Sequence, residues 1–213
     1  MRRHPRQLRR MIHPAHWGRL ASSPPDEVCA RSGATYDAGS NAYTLPLLNE
    51  LVQASVADRK VWCSDDRGLP GKNASYHVAL LAVVYLIEAR SAPLSGEWTT
   101  PQALPAGAFF FRGPHAVPTS DVAERYAHDR SGFLEAGLRL GGGQVEGGDA
   151  CIELQALPRV PMRLVLWLAD DEFPAQVTVL FDRRVDQQLP MDVLHSLMRH
   201  VTSELVRAAD GAG

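Results

Sequence analysis

Ten consecutive residues, Val78 to Ile87, carry no charge and no polar group except the Tyr85 hydroxyl. With Asn73 as the expected cap, they belong to a helix running to about Ala89. A helix that is apolar on every side must be surrounded on every side. The rest of the chain is therefore expected to wrap this segment as its spine. A bilayer span takes about 20 such residues, so the run is too short to be one. Cover is plentiful: 45% of the 213 residues are hydrophobic, enough for a core that folds without staples.

The elements flanking the spine alternate in period. Pro24 to Ser32 reads as a short helix, with Ser23 as N-cap, Asp26 and Glu27 in its first turn and Gly33 ending it. Tyr36, the turn residues 37–41, and the stretches Tyr43 to Leu48, Leu51 to Val56 and Lys60 to Cys63 read as a meander closed by Asp65 to Asn73. Beyond the spine, a Pro- and Gly-rich loop spans 91–118. A helical stretch capped by Thr119 or Ser120 then runs to about Leu140, with a break at Gly132.

Three stronger strands follow: Ala150 to Ala156, Arg163 to Ala169 and Ala175 to Phe181. Ala150, Ile152 and Leu154 alternate with Cys151, Glu153 and Gln155, which predicts one wet face. Leu164 to Leu168 is apolar throughout, which predicts a central strand buried on both faces, Trp167 included. Leu194, Leu197, Met198, Val201 and Leu205 form one stripe on a final helix that starts near Pro190 and packs on the sheet. The expected fold class is α+β: antiparallel meanders around a buried central helix, with a C-terminal amphipathic helix. Helix, meander, helix recurs over 24–90 and 119–208, the pattern of two pseudo-repeated halves.

Charge and cysteines narrow the function classes. The net charge of -2 provides no global field for nucleic acid. Arg2, Arg3, Arg6, Arg9, Arg10 and Arg19 form a local exception, expected to be a disordered basic tail over 1–22, with an α+β domain over 23–208 and a flexible end over 209–213. An RNA-associated role through that tail would bring steep salt dependence. No apolar core of signal-peptide length follows the arginines, and the expected location is the cytoplasm. Cys29, Cys63 and Cys151 are far apart and in no CxxC pair, so they suggest reduced thiols rather than a disulfide framework or a four-ligand metal site.

Candidate chemistry is sparse. Asp170, Asp171 and Glu172 share a turn, with Asp182 one strand-length away; several carboxylate oxygens are what a hard cation such as Mg2+ or Ca2+ takes. The same carboxylates could instead tie hairpins together, with Arg159, Arg163 and Arg183 as neighbours. His77, in the first turns of the spine beside Tyr76, is a candidate buried neutral imidazole able to ligate a metal or a macrocycle. Gly141-Gly142-Gly143 and Gly147-Gly148 follow a helix and precede a strand, the reverse of a phosphate cradle, and suit a helix C-cap and a turn. His195 and His200 are expected on the wet side of the last helix. No local signature of a serine or cysteine nucleophile is present.

Several segments together resemble a prokaryotic family. They are Gly148-Asp149-Ala150, Leu157-Pro158-Arg159-Val160-Pro161-Met162, Leu166-Trp167, Asp171-Glu172-Phe173-Pro174-Ala175, Leu180-Phe181-Asp182 and Leu189-Pro190. Looser marks are Gly33-Ala34-Thr35-Tyr36, Tyr85-Leu86 and Pro93-Leu94-Ser95-Gly96-Glu97-Trp98. The resemblance, over roughly 24–207, is to domain-of-unknown-function family 3786. It implies no established activity and no defined cofactor. Some members of that family carry a four-cysteine iron–sulfur module ahead of the domain, like those of corrinoid one-carbon enzymes. Here arginines stand in its place, so a redox role needs a partner or another cofactor. The motif residues Asp149, Pro158, Arg159, Pro161, Trp167, Asp171, Glu172, Phe173, Pro174 and Asp182 are structural or binding candidates by this resemblance. The expected function is a non-catalytic binding or accessory domain; the alternative is a metal-assisted hydrolase using the acidic turn at 170–172.

Overall fold

The computed structural model describes residues 12–64 and 70–210. Two helices, α1 (Pro14–Ala21) and α2 (Pro25–Ser32), lead into a first antiparallel sheet. Its strands are β1 (Thr35–Asp37), β2 (Ala42–Leu47), β3 (Glu50–Ser55), β4 (Lys60–Ser64) and β5 (Pro70–Asn73), in the order β1-β2-β3-β4-β5. The spine follows as α3 (Tyr76–Glu88). The long connection holds the two-residue strand β6 (Trp98–Thr99) and the one-turn helix α4 (Gly107–Phe110) before α5 (Ser120–Arg125) and α6 (Arg130–Arg139). The second sheet adds β7 (Gly143–Val145), β8 (Ala150–Leu157), β9 (Val160–Trp167) and β10 (Gln176–Asp182), in the order β6-β10-β9-β8-β7. Helix α7 (Met191–Asp210) closes the described chain. Helix, meander, helix thus occurs twice, as the sequence suggests.

The spine is buried as its composition requires: Val78 and every residue from Leu81 to Ile87 are in the core, with Ala79 and Leu80 packed at its margin. Leu194, Leu197, Met198, Val201 and Leu205 of α7 are fully enclosed. That helix packs chiefly on α3, α5 and α6 rather than directly on a sheet. A backbone hydrogen bond from Leu48 N to Ala156 O (3.0 Å) joins the two sheets.

Local signals are displaced in three places. Pro24 occupies the N-cap of α2, and the Ser23 hydroxyl instead donates to Arg19 O. Ser75 caps α3 by accepting from Val78 N, while Asn73 pairs with Trp62 in β5. The helical stretch after 119 breaks at Tyr126–Asp129 rather than at Gly132. Asp129 caps α6 by accepting from Gly132 N, and its carboxylate fills the space a Gly132 side chain would need. The remainder of the expected closing turn, 65–69, lies outside the described residues.

The basic tail expected over 1–22 is helical from Pro14 to Ala21. Trp17 and Leu20 are buried there against the core, and α1 packs on α3. Two large apolar side chains one turn apart are enough to dock so short a helix, and Arg19 Nη1 pairs with Glu88 at 2.7 Å. The other five arginines of the tail lie outside the described residues.

β9 is central, as expected, but only one of its faces is closed. Met162, Leu164 and Leu166 face the core at 0% exposure, whereas Trp167 on the opposite face is 51% exposed. The turn at Gly147-Gly148 reaches Val165 and stops at the edge of the Trp167 ring. On β8 the wet face is only partly wet, because Cys151 lies under that same turn at 1% exposure.

Candidate functional site

Residues far apart in sequence meet at the C-terminal ends of α2 and α3. Arg31 donates from Nη1 to Ile87 O (2.7 Å) and from Nη2 to Leu86 O (2.9 Å), satisfying carbonyls at the end of α3. Arg159 does the same for α2, with Nε on Arg31 O (2.6 Å) and Nη2 on Ala30 O (3.0 Å). The last carbonyls of a helix have no partner within it and carry its negative end, so each guanidinium sits where a cation is stabilised. Between them the Tyr85 hydroxyl donates to Ser32 O (2.9 Å) and accepts from Arg159 N (3.1 Å). Burial pushes that hydroxyl's pKa well up. Gly33 ends α2 at φ 74°, and a side chain there would lie 2.8 Å from Pro158 Cβ. Arg159 therefore reaches backbone carbonyls, not the carboxylate expected for it.

A second knot forms at the end of β10. Asp182 is 4% exposed; its Oδ2 accepts from the Ser95 hydroxyl and Gly96 N, both at 2.9 Å, and its Oδ1 accepts from Arg184 N at 2.9 Å. Burial opposes ionisation, yet these donors outweigh it and hold the carboxyl below its ordinary pKa. Arg183 pairs with Glu97 (2.9 Å), and Arg184 Nη1 donates to Pro93 O (3.2 Å). The Pro93–Trp98 segment is thereby tied down along β10.

The acidic turn does not gather its carboxylates. Asp170 Oδ1 accepts from Glu172 N (2.9 Å) and Phe173 N (2.7 Å), and these two amides lower its pKa. The Asp171 and Glu172 side chains are exposed and make no hydrogen bond or ion pair among the described residues. Asp182 is at the other end of the seven-residue β10 and is already engaged. The expected arginine neighbours are elsewhere: Arg159 on α2, Arg163 on Glu153 (2.7 Å) and Arg183 on Glu97. Among the described residues no group of three or more His, Cys, Asp or Glu side chains is placed to hold a metal ion.

The other motif residues shape the second sheet. Asp149 closes the β8–β9 ladder, its amide donating to Leu166 O (3.0 Å) and its Oδ2 accepting from Leu168 N (2.8 Å). Pro158 lies in the β8–β9 turn, and Pro161 is buried opposite Gln155, next to an irregularity in register. Phe173 is 61% exposed and Pro174 is also exposed.

His77 is exposed, stacked edge-on to Tyr76 at 5.7 Å, because the first turn of α3 emerges from the core. It is not the buried imidazole its helix suggested. The histidines expected to be wet are the enclosed ones. His195 is 8% exposed with Nε2 3.2 Å from Ala116 O, and the His200 side chain is 16% exposed. His200 lines a cleft of about 340 Å³ with Asn49, Glu50, Arg139, Glu204 and Arg207. Burial lowers the pKa of His200 although Glu204 lies 3.9 Å from its Nδ1. This cleft was missed in the sequence; its legible signal is the i, i+4 spacing of His200 and Glu204. No activated thiol accompanies it, since burial raises the pKa of Cys29, Cys63 and Cys151 alike.

A family model described as a domain of unknown function, DUF3786, matches residues 24–204. The chain belongs to the DUF3786 family. The match begins just before α2 and ends within α7, so it takes in both sheets, both knots and the cleft up to Glu204, while α1 precedes it and Arg207 follows it. No curated protein and no solved structure matches the chain. No helix among the described residues is long and apolar enough to cross a membrane.

Proposed function

We propose that this DUF3786 chain is a non-catalytic binding or accessory domain that works beside a redox or corrinoid-dependent partner protein. One observation carries the reading. The polar groups of Tyr85, Arg159, Asp149 and Asp182, which mark the family resemblance, are spent on backbone amides and carbonyls or on a neighbouring hydroxyl inside the fold. A catalytic motif has to leave such groups converging on a cleft, whereas a scaffold motif uses them up. The competing metal-assisted hydrolase needs carboxylates that share an ion, and its acidic turn has one carboxylate engaged in its own turn and two pointing to solvent.

The test is purification of the full chain from its native host, followed by absorption spectroscopy, metal analysis and mass spectrometry of bound protein. A stoichiometric partner or chromophore, with no divalent-ion-dependent hydrolysis, is the expected result. Hydrolysis that needs Mg2+ or Ca2+ and is lost in Asp171→Asn/Glu172→Gln would overturn the proposal.

A further inference from the structure

The open face of β9 carries Arg163, Val165 and Trp167 at alternate positions, and it already shows how a cation is held there. Arg163 lies 4.1 Å above the ring of Trp98 while its Nε and Nη2 each sit 2.7 Å from Glu153 Oε2. A guanidinium is thus sandwiched between an indole face and a carboxylate, the arrangement that satisfies both its planar surface and its donors. Four residues along the same strand and on the same face, Trp167 is half exposed, and among the described residues no arginine stacks on it. Phe173 adds a second exposed ring in the β9–β10 turn.

The rim of this sheet end is predominantly acidic. Asp170, Asp171 and Glu172 occupy the β9–β10 turn, and the neighbouring β7–β8 turn brings Glu146 and Asp149, all exposed. Arg130, whose Nε donates to Asp149 O at 2.7 Å, also reaches this end. Exposed aromatic rings beside free carboxylates repel an acidic or nucleic-acid partner and complement a basic one.

We propose that the Trp167–Phe173 end of the second sheet docks an arginine-rich segment of a partner protein, with guanidinium groups stacking on the two rings and pairing with Asp171 and Glu172. This rests on the binding-domain reading and names the chemistry of its partner. Arginine is favoured over lysine because a planar guanidinium stacks flat on a ring while its edge donors pair with a carboxylate bidentately.

The full chain is titrated against fluorescein-labelled nona-arginine and nona-lysine at low and physiological salt, with anisotropy as readout. Nona-arginine is expected to bind at least fivefold tighter than nona-lysine. Trp167→Ala should weaken it by tenfold or more, and Trp167→Phe should restore most of the loss. Asp171→Asn/Glu172→Gln should flatten the salt dependence. Circular dichroism melts of each variant separate lost docking from lost folding, and Trp167 is exposed enough for the fold to survive its removal. Equal affinity for the two peptides, or an unchanged affinity in Trp167→Ala, would reduce the surface to unspecific attraction and overturn the proposal. Neither outcome touches the accessory-domain reading, which fails only on metal-dependent turnover.

Discussion

Replacing Tyr85 by Phe removes one oxygen and keeps the ring in place, so it isolates the knot between α2, α3 and the β8–β9 turn. The hydroxyl is fully enclosed, donates to Ser32 O at 2.9 Å and accepts from Arg159 N at 3.1 Å. Without it, one buried carbonyl and one part-buried amide lose a partner, and each such orphan costs roughly 1–3 kcal/mol. Some relaxation around a small void is expected, so the net loss is placed at about 2–4 kcal/mol. Urea unfolding of both proteins measures it directly. With an m-value of about 2 kcal/mol/M the midpoint should fall by about 1–2 M and m itself should not change. A loss below about 0.5 kcal/mol would mean that the Arg159 amide and Ser32 carbonyl find other partners and that the knot does not organise the fold.

Trp17→Ala should destabilise by about 3–5 kcal/mol, as for other large core truncations, because the ring is 3% exposed; a change below about 1 kcal/mol in the same urea assay would show α1 undocked. Deleting residues 1–22 should lower the melting temperature for the same reason, and an unchanged melt would contradict the packing of α1 on α3. Asp182 has a folded pKa below its unfolded value of about 3.9, so its contribution is complete above that pH and is lost as pH falls through the folded value. Asp182→Asn should therefore be less stable than wild type at pH 7, with the gap narrowing below about pH 4; a gap independent of pH would show that ionisation of Asp182 is not what holds the Ser95-Gly96 loop.

The order of elements was legible because it is written in local periodicity. The unbroken apolar run at Val78 to Ile87, the stripe from Leu194 to Leu205 and the turn chemistry at 37–41 each fix one element without reference to the others. What was not legible depends on which surface the rest of the chain happens to cover. Trp167 sits in an apolar run, yet the Gly147-Gly148 turn covers Val165 and ends short of it. His77 sits on the most buried helix, yet its first turn protrudes. Trp17 and Leu20 were hidden in a run dominated by arginines, where charge outweighs two apolar residues in any average. The knots were half visible: the motif residues were found, but Arg159 was expected to seek a carboxylate. That two arginines cap two helix ends, with a tyrosine between them, is a long-range arrangement that no window of sequence contains. The His200 cleft is hidden similarly, its walls coming from the β2–β3 turn, α6 and α7.

The central claim, that the motif builds the fold rather than a reaction centre, is tested most directly at the acidic turn. Thermal melts of wild type and Asp171→Asn/Glu172→Gln are compared in chelator, in Mg2+ and in Ca2+. Because neither side chain has a partner among the described residues, the account predicts melting temperatures that are the same for both proteins and the same in every buffer. A wild-type melting temperature that climbs with saturating ion, and a variant that does not respond, would show an ion bound to the folded state through these carboxylates and would contradict the account.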